Sequence, residues 1–178
     1  PERAVSAMDS VNKHLASAEG IKTVWPTFQH YDQAYGLMSR YVPGRKENGI
    51  FAHANSWAIV AEALLQRGER ALEYYKNITP LYKNEQADVI GTEPYVYCQT
   101  IASNDALYPG IGANSWLTGT AAWMFVAVTQ YVLGVRPGLD GLVIEPNIPA
   151  DWPGFTFIRQ YRGCTYHIEV KRTGRQQI

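Results

Sequence analysis

Cysteine is scarce: Cys98 and Cys164 are the only two in 178 residues. They show neither metal-ligand nor redox spacing, so they are expected to be free core thiols in a reducing compartment. Charge is also low and balanced. Lys plus Arg is 16 and Asp plus Glu is 16, together 18% of the chain. That excludes the basic footprint of a nucleic-acid binder and an acidic tail. No apolar run approaches the roughly 18 residues of a membrane span. The densest, Ala121 to Val135, is broken by Thr129 and Gln130. The opening PERAVSAMDS lacks the apolar region of a signal peptide. A Gly-rich P-loop, HExxH, GxSxG and CxxC are all missing. Nucleotide chemistry, zinc hydrolysis and serine hydrolysis therefore lose their usual anchors. The expectation is a cytoplasmic protein.

What is present is enough apolar material for a core, 46% of residues, with 12 Tyr and 5 Trp. Val5, Met8, Val11 and Leu15 make one stripe of a helix over 3–18, with Gly20 as its stop. Residues 22–50 read as a long loop, of the kind that is usually functional. Helical spacing resumes over 54–67 and 69–78, ended by Gly68 and Pro80. Pro94 suits the first turn of a helix over 94–103. Residues 104–114 read as a loop, and 116–133 as the most apolar helix, closed by Gly134. After Arg136-Pro137-Gly138 the period becomes two. Strands are expected at 142–144, 155–161 and 164–171, the last two joined by a tight Arg162-Gly163 turn. The chain is thus expected to be mainly α to about residue 135 and β-rich from 136 to 178. The helix pairs joined by long loops suggest a helical toroid. The chain opens inside a helical pattern and stops after a strand-like run, so it is read as a piece of a longer protein.

Three segments could carry chemistry. Lys46 to Asn55 packs a cation, a carboxylate, amides and His53 before a helix. On residues alone the favoured reading is a capped helix start, with Asn55 as cap and His53 as a satisfied polar residue. Thr92 to Gln99 places Glu93 at an expected helix N-terminus, where free N–H groups stabilise a carboxylate. Its Gln99 offers both donors and acceptors. Asn114 to Ala121 opens an apolar helix with hydroxyls and Gly119. Such a start can hold a phosphate on backbone N–H groups, or be an ordinary cap made by Ser115 or Thr118.

KENGIFAHANSW, ALEYYKNITP, TEPYVYCQ, NSWLTGTAAW and TQYVLGVRPGLDGLVIEPNIPADW occur in this order. Together they resemble the C-terminal part of the inverting disaccharide phosphorylases of glycoside hydrolase family 94. The resemblance runs from about residue 35 to 163. It implies that residues 1–135 are the C-terminal portion of an (α/α)6 catalytic barrel and 136–178 the start of a C-terminal β-sandwich-like domain. It also implies reversible phosphorolysis of a β-glycosidic bond. Inorganic phosphate, as co-substrate, attacks the anomeric carbon and gives an α-sugar 1-phosphate. An inverting hydrolase needs a second carboxylate to activate water, whereas phosphate is already an anionic nucleophile.

Carried over residue by residue, the resemblance implies that His53, Thr118 and Gly119 bind phosphate. Gln99 and Lys46 would line the donor-sugar region, and Tyr41 the acceptor site. No catalytic residue is assigned, because the family's general-acid Asp matches nothing here and is expected upstream. The family reads KEN and two small residues before Ile-Phe, where this chain has Gly49 alone. The resemblance implies a parent enzyme that is a homodimer, uses no metal or organic cofactor and acts on a disaccharide or short oligosaccharide, and no nucleic acid or membrane partner is expected. Alternatives are the phosphorylase-like module of a glucan synthase, a related glycoside hydrolase using Glu47 or Glu93, and a non-catalytic carbohydrate-binding module.

Overall fold

A computed structural model describes residues 2–174. It begins with helix α1 (Glu2–Ser10), which runs into a π-helical turn at Val11–Leu15. A two-strand ribbon follows, β1 (Ala16–Ser17) and β2 (Gly20–Ile21). Gly20 lies within this ribbon, so it does not close a helix. A short helix α2 (Leu37–Arg40) interrupts the long segment that leads to β3 (Ile50–Phe51).

Helix α3 (Ala52–Leu64) buries Ala52, Asn55, Ser56, Ile59, Glu62 and Ala63. These recur at three- and four-residue steps and form one face. Helix α4 (Gly68–Ile78) turns Ala71, Tyr74 and Ile78 inward and is followed by Pro80. A 3-10 stretch and α5 (Ala87–Ile90) lead to strands β4 (Cys98–Ile101) and β5 (Gly112–Ser115). Then α6 (Thr120–Val126) continues as a π-helical turn to Val132. Gly134 ends it with a φ of 69°, and a Cβ there would meet the Glu145 carbonyl. Only glycine fits. The core is made where α1, β2, α3, α4 and α6 meet, through Met8, Ile21, Ile59, Tyr74 and Met124.

The C-terminal part is two hairpins, β6 (Val135–Pro137) with β7 (Leu142–Ile144) and β8 (Gly154–Tyr161) with β9 (Cys164–Lys171). Arg162 and Gly163 both have positive φ, the signature of a type I′ turn. The second hairpin is tied to the first by Arg159, which donates to the Val135 carbonyl, and by the Tyr161 hydroxyl, which donates to Gly138.

This architecture corrects the expected fold class. The described residues are 40% helix and 21% strand, in four small antiparallel sheets. The chain is a helix-and-strand mixture, not a mainly α segment of an (α/α)6 barrel. The helix expected over 94–103 is where the reading fails most. Tyr95 has a φ of 63°, which breaks any helix begun at Pro94. The residues that follow form β4, whose Thr100 and Ile101 are β-branched, with Cys98 and Thr100 buried on one face. Residues 112–114, expected as loop, belong with Ser115 to the strand that pairs with β4. The cysteines also differ from expectation. Cys98 is buried, and burial pushes its thiol pKa up, but Cys164 is exposed at the hairpin turn.

Candidate active site

The central sheet has the order β3-β4-β5, with both outer strands antiparallel to β4. Strands β3 and β5 are therefore parallel to each other and both run toward the start of β4, β3 ending opposite Thr100 and β5 opposite Cys98. Strand β3 passes directly into α3. Strand β5 passes through residues 116–119 into α6. The N-termini of two helices are thus delivered to the sheet end that carries Gln99. Neither helix start is capped by a side chain of its N-cap residue. Free N–H groups and the positive ends of two helix dipoles meet there, which is the ordinary physical basis of an anion site.

His53 is the second residue of α3, and Gly119 immediately precedes α6. A Cβ at Gly119 would stand 3.0 Å from His53 Cε1 and 3.3 Å from Nδ1. Gly119 has a φ of −83°, so glycine is needed here for space and not for conformation. The imidazole is walled by Phe51, Trp57 and Trp123, with ring centroids 6.2, 5.4 and 6.0 Å away. Its Nε2 is buried and has no hydrogen-bond partner. A buried polar atom of this kind is costly unless something binds it.

The Thr118 hydroxyl accepts the Thr120 N–H at 3.1 Å and lies 2.5 Å from the Thr120 hydroxyl. Thr118 therefore supplies a local cap, whereas Ser115 lies in β5 and caps nothing. Gln99 Nε2 donates to the Leu117 carbonyl at 3.2 Å, and Gln99 Oε1 accepts from Asn114 at 3.1 Å. His53, Gln99, Thr118 and Gly119 are so brought to one place.

Lys46 and Tyr41 are brought to each other, with the ammonium 4.9 Å from the ring centroid. They line an open groove with Pro43, Arg45, Asp105, Leu107 and Tyr108, a wall that includes neither His53 nor Gly119. The shortened KEN segment is closed by Gly49, whose Cβ would fall 2.4 Å from the Gly44 carbonyl. A more enclosed pocket lies between the 80–97 segment and β4, and it too excludes the His53 cluster.

Several residues hold roles that the sequence did not show. Asn48 is fully buried and bonds the Phe28 N–H, the Phe28 carbonyl and the Tyr41 carbonyl. Asn55 is no cap: it lies inside α3 and holds both backbone groups of Ile21. Glu62 is fully buried 3.6 Å from Arg67 and Arg70, and burial raises its carboxyl pKa. Glu93 accepts the Trp116 indole N–H at 3.1 Å. The Ser115 hydroxyl, its own backbone and Trp116 hold its pKa below the usual carboxylate range. Only the clustering of polar residues near His53 and Asn114 gave a signal. Among the described residues no group of three His, Cys, Asp or Glu could hold a metal ion. No described helix is long and apolar enough to cross a membrane.

The profile of the Glycosyl hydrolase 94 superfamily catalytic domain matches residues 1–134. The chain belongs to this family. It is 45% identical over 171 residues to the N,N'-diacetylchitobiose phosphorylase of Vibrio proteolyticus, covering 96% of the chain and 21% of that protein. It is 37% identical over 177 residues to the solabiose phosphorylase of Paenibacillus borealis, covering 99% and 23%. It is 33% identical over 177 residues to the cyclic beta-(1,2)-glucan synthase NdvB of Rhizobium meliloti, covering 96% and 6%. The chain spans about a fifth of the length of the two phosphorylases.

Proposed function

We propose that this family 94 chain carries the phosphate-binding part of an inverting phosphorylase that acts on a β-linked disaccharide. The observation that carries the reading is the approach of Gly119 to His53, whose Nε2 is buried without a partner. Inorganic phosphate fits there, held by the imidazole, the Thr118 hydroxyl and the backbone N–H groups that open α6. Gln99 sits at the sugar side of this anion, and Lys46 and Tyr41 face the donor and acceptor sugars. A phosphate oxygen forms the new bond to the anomeric carbon as the glycosidic C–O bond breaks with inversion. The leaving oxygen takes its proton from a carboxylic acid, which we place in the protein outside these 178 residues. Residues 1–135 then belong to the catalytic domain and residues 136–178 to a following β-domain. This division is supported by the family profile ending at residue 134 and by the start of the hairpins at Val135.

The match to NdvB supports a second reading, a phosphorylase-like module of a much longer glucan synthase. The experiment is to incubate the gene product that carries this chain with N,N'-diacetylchitobiose and other β-linked disaccharides. Phosphorus NMR in the presence of inorganic phosphate should show a new α-sugar 1-phosphate. Equal cleavage without phosphate would mean hydrolysis. Phosphorolysis by none of them, together with glucan synthesis, would favour the synthase module.

A further inference from the structure

Glu93 lies outside the proposed phosphate cluster, on the loop before β4, and the phosphorolysis step does not use it. Its Oε1 accepts the Trp116 indole N–H at 3.1 Å. Trp116 stands between β5 and Thr118, in the segment that must present the phosphate ligands. This segment is conformationally demanding. Asn114 and Trp116 both have positive φ, at 56° and 68°. Neither is glycine, so each needs something that over-determines its backbone. Asn114 has the Gln99 side chain, and the Leu117 carbonyl has the Gln99 amide. For Trp116, 72% exposed, side-chain anchoring comes from Glu93.

We infer that Glu93 is a positioning residue, which holds the Trp116 indole and thereby fixes the 114–119 segment so that Thr118 and Gly119 face His53. The inference rests on the phosphate site proposed above. An ionised acceptor gives the stronger hydrogen bond to an indole N–H, and Ser115 and Trp116 keep this carboxylate ionised. Without the bond, the segment relaxes toward negative φ at Trp116. The two phosphate ligands two and three residues on then move off the imidazole.

The test uses the gene product that carries this chain, with inorganic phosphate as the varied substrate. Glu93→Ala should raise KM for phosphate about 5- to 20-fold, because misplaced ligands cost binding before chemistry. KM for the disaccharide should stay within twofold. Glu93→Gln keeps an oxygen acceptor and should recover most of the loss. Trp116→Phe removes the donor and keeps the ring, so it should reproduce Glu93→Ala. The double variant should be no worse than either single one, since both remove one bond. An unchanged phosphate KM in Glu93→Ala, with His53→Ala still impaired, overturns this inference alone. So do additive effects of the two substitutions, or equal losses for phosphate and sugar. No phosphate dependence in the unsubstituted protein overturns both this inference and the phosphorylase reading.

Discussion

The imidazole of His53 packs so closely on Gly119 that a single added carbon would sit 3.0 Å from its Cε1. His53 comes from the first turn of α3 and Gly119 from the residue before α6. The contact therefore joins the starts of two helices delivered by the parallel outer strands of one sheet.

Gly119→Ala should expose this dependence. Alanine is comfortable at the observed φ of −83°, so the backbone tolerates it. The methyl group must instead push the imidazole by a few tenths of an ångström. Phosphate affinity should fall about tenfold, or ~1.4 kcal/mol, while the melting temperature changes little. Phosphate titration of both proteins checks the first point and a thermal melt the second.

Thr118→Val separates a hydroxyl from its shape. The substitution removes the acceptor of the Thr120 N–H. It should cost about 1 kcal/mol of stability, the usual value of a lost helix-start bond. It should also weaken phosphate binding. Thr118→Ser keeps the oxygen and should restore both in denaturant melts and phosphate titration.

The residues of the proposed site stand out in the sequence more than the fold does, for a physical reason. His53, Gln99, Thr118 and Gly119 sit in dense polar clusters beside apolar runs, and such clusters stand out locally. Their meeting depends on β3 and β5 flanking β4, which no local pattern announces. Strand β3 has two residues and β5 reads GANS, with no strand-like periodicity. The 94–103 segment misled because Pro94 is a good helix starter, while the positive φ of Tyr95 is set by tertiary context. The C-terminal hairpin was legible because Arg162-Gly163 and strict alternation are both local signals. Even there, the alternation does not bury one whole face: Tyr166 is exposed.

Asn48 should prove to be the keystone of the 27–49 segment. Its amide serves three backbone groups from a fully buried position. Asn48→Ala leaves those groups unpaired and should destabilise the protein by roughly 3 kcal/mol. Urea unfolding of the two proteins measures this. A change below about 0.5 kcal/mol, the range of ordinary surface substitutions, would contradict it.

Glu62 should give stability an unusual pH signature. Burial raises its pKa above the 4.5 of a free carboxyl, and Arg70 and Arg67 only partly oppose this. A carboxyl with a raised folded-state pKa favours folding below its unfolded value. That contribution is lost as pH rises through the folded pKa. Relative to the unsubstituted protein, Glu62→Gln should therefore gain stability as pH rises above about 4.5, the range over which the raised carboxyl must ionise. A melting-temperature difference that is constant or falls over this range would contradict the burial argument.

The most direct test of the central claim is the phosphate dependence of disaccharide cleavage by the gene product and its His53→Ala variant. If His53 and Gly119 hold the attacking phosphate, loss of the imidazole should raise KM for phosphate by about tenfold or more. KM for the disaccharide should stay within about twofold, as expected when only one substrate's contacts are removed. Cleavage that proceeds equally well without phosphate, or a variant whose phosphate KM is unchanged, would contradict the account.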